Sequence, residues 1–142
     1  MARPRYENAT DVHNEMSAAE KFASLFRGAE LTRASDEARG FTFLSKGGKS
    51  KIVLEIKTRT NSSVKYPTFM ISKGKYDALC EWAERGLTAG LLVQWTDKLG
   101  FVRVPVKHTT SVGGRYDRGD PRDIETVVLI ETSLFERVQD DR

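Results

Sequence analysis

Glu55 and Lys57 stand two positions apart in Lys51–Thr58, where Ile52, Leu54 and Ile56 alternate with Val53, Glu55 and Lys57. On a β-strand this spacing sends the carboxylate and the ammonium out of one face, about 6.5–7 Å apart along the chain. A carboxylate there can hold Mg2+ through oxygen, and the carbonyl of the intervening Ile56 can offer a second oxygen. The Lys57 side-chain nitrogen can hold a metal-associated water beside a scissile phosphate, or, as the neutral amine, deprotonate it. Such a hollow needs further oxygen ligands. The acids that could supply them are Glu15, at the leading end of an amphipathic helix, and Asp36 or Glu37, just ahead of a strand. The plainer alternative is a solvated i,i+2 charge pair that does no chemistry.

The surroundings favour a phosphate-bearing partner. Residues 41–80 hold eight Lys/Arg against two Asp/Glu, whereas the segments on either side are slightly acidic. A basic block with few carboxylates suits a polyanion, although a Lys-rich solubilising face would have the same composition. Ser72-Lys73-Gly74-Lys75 opens a helix whose free N–H groups and dipole favour phosphate. Arg59, Lys65, Lys73 and Lys75 are therefore candidate phosphate contacts, which would position a duplex without reading its sequence.

The elements that must carry these residues follow from periodicity. Asn14 to Phe26 reads as an amphipathic helix with Ala18, Ala19, Phe22, Leu25 and Phe26 on one stripe, stopped by Gly28. Glu15 lies in phase with that stripe and Glu20 points away from it. Residues 29–40 read as a loop, Phe41–Leu44 as a short strand, Lys46–Lys49 as a hairpin turn and Lys51–Thr58 as the second strand. A third strand is expected over Pro67–Ile71. It is followed by a helix capped by Ser72, with Tyr76, Leu79, Cys80 and Ala83 as its apolar set, ending at Gly86. Leu91–Trp95 and Phe101–Val104 form a hairpin, residues 107–123 a long Gly/Arg/Asp-rich loop, and Ile124–Ile130 a last strand. Ser133–Glu136 reads as a capping box opening a terminal helix. The order implies an α/β protein with a mixed central sheet flanked by helices.

A chain of 142 residues with 39% hydrophobic and 30% charged residues suits one globular domain, here residues 14–142 behind a flexible polar arm at 1–13. No apolar run approaches a membrane span and no signal-peptide pattern is present, so a soluble, cytoplasmic protein is expected. Cys80 is the single cysteine and cannot form an internal disulfide; it is expected to pack as a small hydrophobe. His13 and His108 lack a third ligand in register, which argues against zinc.

Val53-Leu54-Glu55-Ile56-Lys57-Thr58-Arg59, after a hairpin and before a strand and an amphipathic helix, resembles the signature of the PD-(D/E)xK nuclease superfamily. Within it, the likeness is to archaeal Holliday-junction resolvases and small phage-encoded nucleases, over residues 14–106. The resemblance implies a restriction-endonuclease-like αβββαβ core, here with an additional C-terminal strand. It also implies Mg2+ or Mn2+ as cofactor, duplex or branched DNA as partner, a homodimer, and the cytoplasm of a bacterial or phage-infected cell. Carried over residue by residue, Glu55, the Ile56 carbonyl and Glu15 hold metal, with Glu20 as the fallback for Glu15, and Lys57 assists the attacking water. The superfamily's strand Asp falls about 13 residues before the Glu, and Thr42 stands there. Either Asp36 reaches in from the preceding loop to serve as metal ligand and catalytic acid, or fewer carboxylates hold the metal, or the protein binds DNA without cutting it. A third possibility is a partner-binding protein that works through the 107–123 loop.

Overall fold

Strands whose two faces are both apolar must be covered on both sides, and the middle of this chain has one. In the computed structural model, which describes residues 17–24, 30–33, 41–47, 49–114 and 124–138, helix α1 covers residues 17–23. It is followed by β1 (Glu30–Arg33), β2 (Thr42–Lys46), β3 (Lys49–Thr58), β4 (Thr68–Ser72) and α2 (Lys73–Glu84). Then come β5 (Thr88–Gln94), β6 (Leu99–Arg103), β7 (Thr109–Gly114), β8 (Ile124–Glu131), a 3-10 turn (Thr132–Leu134) and β9 (Glu136–Arg137). The central sheet has the order β1-β2-β3-β5-β6-β9, and a second sheet has the order β4-β8-β7. β3 and β5 run parallel while the other pairs are antiparallel, so the central sheet is mixed as expected. The connection from β3 to β5 carries β4 and α2, as a parallel pair requires.

β3 lies at the centre with a core on each face. Ile52, Leu54 and Ile56 pack with Leu44, Leu92 and Leu99 against Ala18, Ala19 and Phe22 of α1. Val53 faces the other way with Phe41, Leu91 and Val93, beneath Tyr76 and Leu79 of α2 and Phe69, Ile71, Val128 and Ile130 of the second sheet. The alternation of period two is thus apolar on both sides, with Glu55 as the buried charged exception. α2 begins where the sequence marks it: the Ser72 side chain accepts a hydrogen bond from the Lys75 backbone N–H at 3.3 Å. Beyond its end Gly86 takes φ +98°, a left-handed conformation that favours glycine.

Several expectations are corrected. The stretch read as a loop at 29–40 contains β1, whose mixed residues Glu30-Leu31-Thr32-Arg33 pair along β2. The strand after β3 does not join the central sheet; β4 pairs with β8, more than fifty residues later. The long loop expected at 107–123 is in part β7, an edge strand on β8. In place of the terminal helix there is a single 3-10 turn without a side-chain cap, and Phe135 is buried against Trp95 and Phe69. Burying that ring fixes the chain end on β6 instead of letting a helix propagate.

Gly90 on β5 permits the core on the α1 face to close. A Cβ there would lie 2.5 Å from Phe101 Cε1 and 2.5 Å from the Val102 carbonyl oxygen, and the Phe101 ring lies tilted with its centre 4.9 Å from that of Phe22 of α1. Gly90→Ala is therefore expected to lower unfolding free energy by about 3 kcal/mol, because the carbonyl cannot move aside. A urea denaturation curve measures this, and an unchanged midpoint would contradict it.

Candidate active site

β3 outruns its neighbour. β2 pairs with it only up to Thr42 opposite Leu54, whereas β5 follows it to Gln94 opposite Thr58. Residues 55–58 therefore have a sheet partner on one side only among the described residues, and Glu55-Ile56-Lys57 sits at that notch.

The alternation of β3 turns Glu55 into the core beneath α2, where it is 4% exposed. A carboxylate buried on the face of Val53, opposite Leu91 of β5, is costly without partners. Among the described residues it has two. Lys57 Nζ, from the same strand face, and Lys75 Nζ, from the first turn of α2, each lie 3.2 Å from Glu55 Oε1. Both lysine side chains keep about a third of their surface in water, at 34% and 35%. Oε2 is fully buried and has no hydrogen-bond partner among the described residues. One carboxylate between two ammonium groups at the start of a helix gives a net positive hollow, which attracts phosphate. Its unused oxygen is the kind of donor a hard cation would satisfy.

The other expected site residues divide. Glu15 and Asp36 lie outside the described residues, as do Glu37 and His13. Glu20 is exposed on α1, away from the core. Among the described residues no cluster of three His, Cys, Asp or Glu is placed to hold a metal. Of the four expected phosphate contacts, Lys75 turns inward to Glu55, and Lys73 pairs with Asp77 at 2.6 Å. Arg59 lies 4.9 Å over the Phe69 ring, and Lys65 lies 5.5 Å over Tyr66. Desolvation against Phe69 lowers the Arg59 pKa from its ordinary value, although much of the side chain remains in water.

Thr42 lies on the face of the sheet opposite to Glu55. The β2–β3 register shifts between Leu44 and Ser45, so that Lys46 pairs with Lys49 and Ser45 with Ser50, but Leu44 pairs with Ile52. Lys51 is the extra residue. In an unbroken hairpin Thr42 would oppose Val53, on the Glu55 face; with the bulge it opposes Leu54, on the α1 face. Continued by one residue, the same register brings Phe41, 1% exposed, across from Glu55.

Two features escape sequence reading. The contact of Lys75 with Glu55 joins residues twenty apart, and its one signal was a lysine three positions after a helix cap. The loop that follows β3 is latched to the β5–β6 turn: Asp97 accepts hydrogen bonds from the Ser63 backbone N–H at 2.7 Å and from the Ser63 hydroxyl at 2.8 Å. Those bonds hold the Asp97 carboxyl below its usual pKa. A group depressed on folding stabilises the native state above its unfolded pKa, about 3.9, and loses that contribution as pH falls through the folded value. The difference in urea midpoint between wild type and Asp97→Asn is accordingly expected to be constant near neutrality and to shrink below about pH 4. A difference independent of pH would contradict it.

A family described as "Phage putative PDDEXK endonuclease" matches residues 1–138. Among solved structures, the fold is similar to that of Hjc, a Holliday junction resolvase from the archaeal hyperthermophile Archaeoglobus fulgidus. The TM-score is 0.52 and the identity 13%, over 88% of this chain and 92% of that one. No curated protein matches the chain. No described helix is long and apolar enough to cross a membrane.

Proposed function

We propose that this chain, which belongs to the phage PDDEXK endonuclease family, hydrolyses DNA phosphodiesters with the help of a divalent cation at Glu55. The observation that carries the reading is Glu55 at the strand notch, with Oε1 between two ammonium groups and buried Oε2 without a hydrogen-bond partner among the described residues. An acid oxygen left dry and unpaired is costly in a structure that has no use for it. Glu55 Oε2 and the Ile56 carbonyl would hold Mg2+ or Mn2+, with Asp36 and Glu15 completing the oxygen set. Bound there, the cation polarises the scissile phosphate and lowers the pKa of a water. Lys57 Nζ, at the solvent edge of the hollow, would orient that water and hold it against the phosphate. Lys75 neutralises the phosphoryl oxygens as charge builds on them, and the α2 N-terminus adds its dipole to the same end.

Branched DNA is the proposed substrate, bound by a two-fold dimer that would place two such sites on one junction. The test is incubation of purified protein with labelled duplex and four-way junction in Mg2+, Mn2+ or EDTA. Metal-dependent nicking with preference for the junction supports the reading; nicking that persists in EDTA contradicts it.

A second reading, a DNA-binding protein that does not cut, is favoured by one observation: β2 ends at Thr42, and the residue just before it, where the register would next face Glu55, is the buried Phe41 and not an acid. It predicts binding that weakens steeply with salt and no cleavage in either metal.

A further inference from the structure

The loop leaving the strand notch is held at both ends and exposes apolar groups between them. At its start, the Arg59 N–H donates to the Gln94 carbonyl at 2.8 Å and the Thr96 N–H to the Asn61 carbonyl at 3.2 Å. The Asp97–Ser63 pair pins its middle. At its end, the Thr132 N–H donates to the Pro67 carbonyl at 2.9 Å, and the Thr132 hydroxyl lies 3.4 Å from the Tyr66 carbonyl. Between these anchors Val64 is 84% exposed and Tyr66, two positions on, is 56% exposed. From residue 56 to residue 76 there is no Asp or Glu, while Lys57, Arg59, Lys65, Lys73 and Lys75 are all cationic. An anchored tip that shows an aromatic ring and an aliphatic group within a wholly cationic stretch matches a polyanion that itself carries flat apolar faces. Nucleic acid presents such faces where bases are unpaired.

We propose that Tyr66 and Val64 form a wedge that stacks on unpaired bases, so that the protein selects DNA containing an unpaired stretch over fully paired duplex. The inference rests on the DNA-nuclease reading and gives it a specificity element outside the Glu55 hollow. The Lys65 ammonium, 5.5 Å from the Tyr66 ring centre, would meet the phosphate adjoining the stacked base.

The test is equilibrium binding in EDTA, so that nothing is cut, to a duplex with a central bubble of unpaired thymines and to the same duplex fully paired. Wild type is expected to bind the bubble about tenfold more tightly, in keeping with one base stacked on an aromatic ring. The pair Val64→Ser and Tyr66→Ala is expected to erase that preference while leaving duplex affinity within about twofold. Tyr66→Phe, which keeps the ring, is expected to retain it. Equal affinity of wild type for both DNAs, a preference surviving the double substitution, or an equal loss on both DNAs would each overturn the proposal. Nicking in Mg2+ on the same preparations separates the two readings: bubble preference without cleavage removes the nuclease reading and leaves the wedge standing.

Discussion

Glu55→Gln is expected to cut metal-dependent nicking by roughly a thousandfold or more, because it removes the charge and the buried oxygen on which the proposed metal site depends. Its effect on stability should be small. The amide fills the same space, the buried carboxylate that was costly to dehydrate disappears, and the two lysines, each about one-third exposed, can turn to water. Lys57→Ala is expected to lower cleavage by roughly a hundredfold to a thousandfold, the range for a preorganised donor that holds the reacting groups and stabilises developing charge. DNA binding in EDTA should be retained by both variants. Single-turnover cleavage and a thermal melt on the same samples measure the two effects. A Glu55→Gln protein that cuts at the wild-type rate would show that the notch is not where the reaction happens.

Thr42→Asp is expected to destabilise the fold by about 3–5 kcal/mol without increasing cleavage, the cost of a buried charge left without a partner. On spacing alone, this substitution would look like the repair of a missing metal ligand. The bulge at Lys51 makes it something else: it places a carboxylate opposite Leu54, on the side of β3 that packs against α1. The new acid would be separated from Glu55 by the sheet itself. Urea unfolding and a nicking assay measure both halves of this expectation, and a gain of activity with unchanged stability would mean that Thr42 shares a face with Glu55 after all.

The contrast between Glu55 and Thr42 marks what the sequence could tell. The phase of Glu55 and Lys57 was readable because Ile52, Leu54 and Ile56 alternate without interruption, and a period of two leaves one choice of face. The start of α2 was readable because Ser72 precedes Tyr76 and Leu79 at helical spacing. The face that Thr42 takes was not readable, because a β-bulge adds one residue without any mark in composition, and each such slip exchanges the two faces. β1 and β7 were missed for another reason: Glu30–Arg33 and Thr109–Gly114 lack apolar alternation, and their pairing with β2 and β8 supplies what their own residues do not. The contacts of Lys75 with Glu55 and of Asp97 with Ser63 are tertiary, between residues 20 and 34 positions apart, and no local pattern announces them.

The central claim is that Glu55 Oε2 is a cation ligand, and anomalous diffraction from crystals soaked in Mn2+ measures this most directly. A peak within coordination distance of Glu55 Oε2, absent from Glu55→Gln crystals soaked in parallel, is the predicted result. Mn2+ bound elsewhere on the molecule, with Oε2 still facing only side chains, would contradict it.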